Sequence, residues 1–154
     1  MANGVFDVAK GRVNELVERV ISGDPSTARL QVRLLTTTGL EADGTLEGYA
    51  TFSAIVAAAN TEADFTNYAT KELAAADLSR ASGNPHTSTV VNDQTWTSAG
   101  GATNNTLAKL LVCYDALGTD VDANLIPLTH HDFSATTDGN DLIADFGATF
   151  FSAT

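Results

Sequence analysis

The residues most capable of chemistry in this chain are two adjacent histidines, His130 and His131, and a single cysteine, Cys113. Imidazoles bind metal ions and transfer protons, and a thiol beside a histidine can act as a nucleophile. Residues 125–136 have the pattern of a strand, in which His130 and His131 point to opposite faces and cannot bind one tetrahedral ion. Asp132 follows directly and adds a carboxylate, but the spacing still favours a structural histidine pair over a metal site.

Cys113 leaves two interpretations open. It is the only cysteine, so it forms no disulfide within the chain, and its place in the apolar run 107–114 favours a buried thiol over a reactive one. A triad of Cys113, a histidine and an aspartate can be drawn, but any chain with these residue types allows one. We therefore predict no catalytic residue. An enzyme is kept as a third hypothesis, which a Cys113 sealed in the core would remove.

Two acidic turns place several oxygen ligands close together, as calcium sites do. Asp120 and Asp122 flank one valine, and Asp138 and Asp141 flank a Gly-Asn pair. Neither turn is followed by the distal glutamate that closes the cage of an EF-hand loop. Solvated turns are the favoured interpretation, so the sequence predicts neither a metal nor a cofactor.

The charge balance narrows the partners. The chain has 154 residues with 19 acidic and 8 basic side chains, for a net charge of −11. Such a surface repels phosphates, so nucleic acid is a poor partner candidate and none is expected. After Arg80 the only basic residue is Lys109. No apolar run approaches the roughly 20 residues of a membrane span, and no basic stretch precedes an apolar block, so we expect a soluble compartment and no membrane partner.

The first part of the chain has the period of a helix. Apolar residues recur at three- and four-residue spacing over 5–21, which predicts an amphipathic helix. Asn3 is the expected N-cap. Gly23 followed by Asp24-Pro25 is the expected stop, because glycine permits a left-handed closing residue and proline cannot continue the helix.

The rest of the chain predicts mostly strands. Segment 28–38 alternates apolar and polar residues, as a strand with one solvated face does. Residues 51–60 are expected to form a second, short helix capped by Thr51. Further on, short runs alternate with turn-rich segments, which predicts additional strands. These lie at 68–73, 87–96, 106–114, 125–136 and 141–148.

Three features predict how these strands are arranged. The run 107–114 is apolar on both alternating faces except at Lys109, which is typical of a strand covered on two sides, and it is the expected central strand. Asp138-Gly139 is the expected hairpin turn that makes the last two strands antiparallel neighbours. Clusters of glycine, proline and asparagine predict protruding loops over 80–86 and 92–106.

Together these elements predict an α+β, mainly β fold. We expect an antiparallel β-sandwich with an N-terminal amphipathic helix and a second short helix. The chain is expected to form a single domain over 1–154. In it, 1–65 is a helical and strand lead-in, and 66–154 is the β-sandwich portion.

Candidate interaction residues fall in two groups. Trp96, in a Gly- and Thr-rich segment, can stack on a sugar or contact a neighbouring subunit, and packing as a lid on the sandwich is equally open. The helical face can enter another protein's groove, although packing on its own domain is favoured. The remaining candidates are Asn104 and Asn105 in the loop, and Phe6, Val13 and Leu16 on the helix.

Four segments follow one another in a characteristic order, at 96–107, 109–115, 126–133 and 136–141. This order resembles small virion structural proteins of tailed bacteriophages. In such proteins a tyrosine-containing strand, a loop, a strand ending in an acidic turn and a hairpin with a polar tip form a β-sandwich exposed on the particle. Tyr68, Asp115 and Asp138-Gly139 match that order, and 5–19 and 52–65 are similar to the helical lead-in.

The resemblance implies a role on the virion, assembled in the host cytoplasm. It implies first a capsid decoration (cement) protein bound to the outside of the head shell, with the major capsid protein as partner. The alternative is a tail, neck or fibre module that binds a host receptor or carbohydrate. Decoration proteins often occupy threefold positions, so a homo-oligomer such as a trimer is expected. The resemblance carries no catalytic cleft and no cofactor.

Overall fold

The computed structural model describes residues 3–80, 87–90, 92–147 and 151–152, so the loop predicted over 80–86 lies almost entirely outside the described residues. The strands are β1 (Asn3–Val5), β2 (Arg29–Thr36), β3 (Lys71–Leu73), β4 (Leu78–Arg80), β5 (Thr87–Val90), β6 (Gln94–Trp96), β7 (Thr106–Asp115), β8 (Ile126–Thr136), β9 (Leu142–Ala144) and β10 (Phe151–Ser152). The helices are α1 (Val13–Ser22), α2 (Asp43–Leu46) and α3 (Phe52–Ala57). Short 3₁₀ turns lie at Asp7–Ala9, Ala75–Asp77 and Asp122–Asn124.

The fold is mainly β and is organised by one antiparallel sheet of five strands, in the order β1-β8-β7-β2-β3. β7 is the middle strand, which confirms the predicted central strand. It pairs with β2 along one edge and with β8 along the other. Two smaller sheets, β10-β5-β4 and β6-β9, complete the strands. Within the described ranges, no helix has the length and hydropathy of a membrane span.

The helix predicted over 5–21 is wrong in its first half. Asn3 is not an N-cap: it begins β1, which pairs with β8 and is followed by a 3₁₀ turn. Gly11 has a φ of +77°, so the backbone turns before α1 begins after Arg12. The predicted end is confirmed, because Gly23 has a φ of +67° and its N–H donates to the Val20 carbonyl at 3.2 Å. Pairing with a distant strand overrides the local helical period.

β2 confirms the strand predicted over 28–38 but not its solvated face. Gln31 and Arg33, which alternation places on that face, are 0% and 4% exposed. Apolar side chains from α2 and α3, such as Leu46 and Phe52, pack on the same side as Leu35 and cover it. Polar residues at alternate positions here indicate a buried polar layer.

The second helix is confirmed at its start and is shorter than predicted. Thr51 is the N-cap, and its Oγ1 accepts a hydrogen bond from the Ala54 N–H at 3.2 Å. The helix ends at Ala57, short of residue 60. Its inner face contributes Phe52 and Ile55 to the core.

The hairpin predicted around Asp138-Gly139 is wrong. Gly139 has the expected positive φ, +96°, but the strands on either side of the turn are not neighbours. β9 pairs with β6, with Thr95 opposite Ile143, in a separate sheet. The strand predicted over 87–96 is two strands, β5 and β6, which belong to different sheets. The positive φ of Gly139 agrees with the predicted turn, but long-range packing sets the partner of β9.

The five-stranded sheet separates two apolar clusters. One contains Leu30 and Val32 of β2 together with the buried side of α1, and we call this side of the sheet the α1 face. The other contains Leu111 and Cys113 of β7 together with α2 and α3. Because side chains alternate along a strand, this second side also carries Gln31, Arg33, Lys109, Asp115 and His130. We call it the polar face.

Candidate functional site

The polar face carries most of the buried polar and charged side chains among the described residues. Arg33 lies at its centre, opposite Leu111 in the pairing of β2 with β7. The guanidinium forms ion pairs with Glu62 at 3.1 Å, with Asp122 at 3.3 Å and with Asp120. Its carbon Cζ also lies 4.8 Å from the centre of the Phe52 ring. One buried cation is therefore held by three carboxylates and an aromatic ring.

The charge of Arg33 is stabilised despite its burial. Burial alone would lower the pKa of the guanidinium, but Glu62, Asp120 and Asp122 together raise it. Gln31 completes the arrangement, because its Oε1 accepts hydrogen bonds from Nε at 3.2 Å and from Nη2 at 3.0 Å. The acidic turn at Asp120 and Asp122, predicted to be solvated, is thus attached to the sheet through Arg33.

Asp115 fixes the start of the segment that joins β7 to β8. Its buried Oδ1 accepts hydrogen bonds from the N–H groups of Leu117 and Gly118, both at 2.9 Å. Its Oδ2 accepts from the N–H of Asp120 at 3.0 Å and from Gln31 Nε2 at 3.3 Å. A carboxylate that accepts several amide hydrogen bonds orders the backbone around it. Residues 116–125, called here the β7–β8 connection, are therefore held from both Asp115 and Arg33.

Lys109 and His130 form polar contacts at the other end of the polar face. Lys109 Nζ lies 2.8 Å from Asp43 Oδ1 and 2.5 Å from Asp132 Oδ1. His130 is buried, and its Nε2 lies 3.0 Å from Glu47 Oε1. The other ring nitrogen, Nδ1, has no hydrogen-bond partner among the described residues. These contacts attach α2 and the turn after it to the sheet.

His131 lies on the opposite side of the sheet from His130, as predicted. It faces Leu110, whereas His130 faces Leu111, so the two imidazoles cannot share a ligand. Thr129 Oγ1 lies 3.0 Å from His131 Nε2. Burial first, then the neighbouring His130 and Lys109, lower the pKa of His131 to about 4. The ring is therefore neutral at pH 7.

Cys113 is sealed in the core. The side chain is fully buried in the cluster that contains Phe52 and Ile55. Burial raises the pKa of its thiol to about 12, so the nucleophilic thiolate does not form near neutral pH. The buried-thiol interpretation is confirmed. A thiol sealed in the core in this way cannot serve as the nucleophile of the triad considered above.

The second acidic turn organises its own backbone. Asp138 accepts hydrogen bonds from the N–H and the side-chain amide of Asn140, both at 3.0 Å, and these bonds lower the pKa of Asp138. Asp141 accepts from the Ser98 N–H at 2.8 Å. Within the described residues, no group of three or more His, Cys, Asp or Glu side chains is placed to hold a metal ion.

The six candidate interaction residues are placed very differently. Trp96 is buried in the chain's own core, and its indole N–H donates to the Ala69 carbonyl at 2.7 Å. Asn104 is exposed, and its Oδ1 accepts from the Gly101 N–H at 2.7 Å. Asn105 is partly buried, and its Oδ1 accepts from the Phe65 N–H at 2.9 Å. The helical candidates Phe6, Val13 and Leu16 are all buried in the chain's own core.

Sequence reasoning missed the exposed apolar side chains. Leu117 is 55% exposed, Val121 is 46% exposed and Ile143 is 56% exposed, and these are the large hydrophobic residues left in solvent in the described ranges. Leu117 and Val121 both lie in the β7–β8 connection, between the end of β7 and a 3₁₀ turn. The available sequence signal was two aliphatic residues within an otherwise polar, glycine- and aspartate-rich turn.

Neither the family models, the curated proteins nor the solved structures include a match to this chain.

Proposed function

We propose that the chain is a structural protein of a tailed-phage virion that decorates the outside of the head shell. One observation carries the proposal. The side chains capable of chemistry, Arg33, Lys109 and Cys113, are buried in internal contacts, whereas large apolar side chains are left exposed on an ordered connection. Such an arrangement supports binding through a rigid surface better than it supports catalysis.

The proposed architecture is a β-sandwich whose second layer consists of the smaller sheets. Leu78 of β4, Trp96 of β6 and Ala144 of β9 share one apolar cluster with Leu30 and Val112 of the five-stranded sheet. Residues from both sets of strands thus pack against a common core, as the two inner faces of a sandwich do. A layered β fold of this kind gives a stiff body with loops at its ends.

A head position is favoured over a sugar-binding tail or fibre module. The tail or fibre role rests on an exposed Trp96 that stacks on a carbohydrate and on the asparagine-rich loop. Trp96 is buried and donates its indole hydrogen bond to Ala69. The net charge of −11 fits a protein whose partner is another protein with a basic surface. We propose the major capsid protein as that partner.

The proposal is tested by the copy number and position of the chain on purified particles. Heads and tails are separated, and the chain is quantified by mass spectrometry against the major capsid protein. Decoration predicts a constant ratio to that protein, confined to heads. A few copies confined to tails would move the function to the alternative, and absence from particles would overturn both.

The proposed homo-oligomer has its own measurement. Light scattering coupled to size-exclusion chromatography gives the mass of the isolated chain in solution, which is 16.0 kDa per copy. A trimer is the expected state if the chain occupies threefold positions of a shell. A monomer that stays monomeric at high concentration would contradict assembly before docking.

A further inference from the structure

The β7–β8 connection is held by hydrogen bonds and ion pairs along much of its length. Three of its N–H groups donate to the buried carboxylate of Asp115, and Arg33 pairs with Asp120 and Asp122. Thr27 Oγ1 donates to the Ala116 carbonyl at 2.8 Å. A surface that is already in its bound conformation loses little entropy on association.

The far end of the connection is tied to the core as well. Leu125 is fully buried with Phe52 and Ile55, and its carbonyl accepts the Phe52 N–H at 3.1 Å. Both ends and the middle of the connection are thus anchored. The exposure of Leu117 and Val121 therefore does not come from a loosely packed loop.

The exposed side chains of the connection are of two kinds, aliphatic and acidic. Leu117 and Val121 are about half exposed. The neighbouring Asp120 and Asp122 side chains are 43% and 41% exposed, while the side chain of Arg33, which pairs with them, is 5% exposed. Solvent therefore meets two carboxylates on either side of Val121 in the sequence, while the guanidinium of Arg33 that pairs with them is nearly excluded from solvent.

We propose that the β7–β8 connection is the docking element of this protein, and that its partner site is an apolar pocket with a basic rim on the outer surface of the head shell. The inference rests on the proposed function. Leu117 and Val121 enter the pocket, and Asp120 and Asp122 face the basic rim. An apolar centre with a polar, solvent-accessible rim is the usual composition of a protein interface, and complementary charge across it favours the right partner.

The test uses particles that lack the protein, purified from a phage from which the gene has been deleted. Recombinant full-length chain is added, and bound and free protein are separated by sedimentation to obtain an apparent Kd. The double variant L117S/V121S is expected to bind at least about tenfold more weakly than the wild type. Raising the salt concentration is expected to weaken wild-type binding, because charge complementarity is screened.

Ile143 supplies the matched control. It is 56% exposed, as Leu117 is, but it lies on β9, so I143S removes the same kind of exposed side chain away from the connection. I143S is expected to bind like the wild type, and thermal unfolding checks that all variants are folded. Equal binding by L117S/V121S and the wild type would overturn the docking assignment, as would equal losses in L117S/V121S and I143S. Failure of the wild type itself to bind would instead overturn the proposed function.

Discussion

The two faces of the five-stranded sheet are built from the same strands by different chemistry. The α1 face has side chains such as Leu30 and Val112, which pack against α1 and the smaller sheets. The polar face alternates apolar residues with Gln31, Arg33 and Lys109, which are also buried. The α1 face gains stability from burial of apolar area, whereas the polar face fixes the positions of α2, Glu62 and the β7–β8 connection.

This difference shows that buried charges in a β protein can fix the positions of surface segments. A buried ion pair contributes little net stability compared with a well-packed apolar core, because desolvation offsets the attraction. It does require definite partners, and here those partners lie in surface segments. The ion pairs of Arg33 and the hydrogen bonds of Asp115 therefore hold the β7–β8 connection in a fixed position on the sheet.

The largest expected effect comes from removing the central charge of the polar face. R33A leaves Glu62, Asp120 and Asp122 without their shared cation, and we expect a loss of about 3–5 kcal/mol in the free energy of unfolding. Urea denaturation at pH 7 measures it. The control is R12A just before α1, where the Arg12 and Glu15 side chains are about half exposed, at 50% and 48%, with an expected loss below about 1 kcal/mol. Equal losses would show that the polar face has no special role.

Truncation on the α1 face tests the other half of the comparison. L30A removes a fully buried side chain and is expected to cost about 2–5 kcal/mol through lost burial and a residual cavity. Unlike R33A, it is expected to leave hydrogen exchange at the Leu117, Gly118 and Asp120 amides unchanged under native conditions. Faster exchange at those amides in L30A, as in R33A, would contradict the division of labour between the faces.

A smaller effect is expected in the backbone of the connection. Gly118 has a φ of +62°, and a Cβ there would lie 2.6 Å from the Thr27 carbonyl oxygen and against the Arg29 guanidinium. We expect G118A to lose about 1–3 kcal/mol in thermal or urea unfolding. Gly11 provides the comparison, because it has a φ of +77° with open space around its Cβ position. If G11A costs as much as G118A, strain alone accounts for the loss and the contact with Thr27 does not.

The smallest effect concerns pH and arises on the α1 face. Burial and the nearby His130 and Lys109 lower the pKa of His131 to about 4, below its ordinary value of 6.5. Between these pH values the unfolded chain binds the proton more readily, so stability is lost as the pH falls from about 6.5 towards 4. Urea unfolding of wild type and H131Q from pH 7 to pH 5 measures this loss. H131Q should show a shallower slope, and parallel slopes would contradict the assignment.

Local signals predicted the elements whose ends are fixed by their own sequence. The end of α1 at Gly23, the cap of α3 at Thr51 and the central position of β7 all followed from neighbouring residues. The first half of the predicted helix failed because β1 pairs with β8, more than a hundred residues away in sequence, as in the pair Gly4 and His130. The predicted pairing of β9 with β8 is wrong for the same reason, because β9 pairs with β6, which is distant in the sequence.

The candidate site was predictable only in part. The opposite orientation of His130 and His131 and the burial of Cys113 followed from the alternation of a strand and from an apolar run. The ion pairs of Arg33 did not, because its partners Glu62 and Asp120 come from segments that only the folded chain brings together. A periodic polar residue looks the same in sequence whether water or a carboxylate faces it.

We propose that the protein decorates a phage head and docks through the β7–β8 connection. Cryo-electron microscopy of wild-type particles tests both parts of this proposal at once. We expect density for the chain repeated over the outside of the head, with Leu117 and Val121 buried against the shell. Particles without such density on the head, or density in which the connection points into solvent, would contradict it.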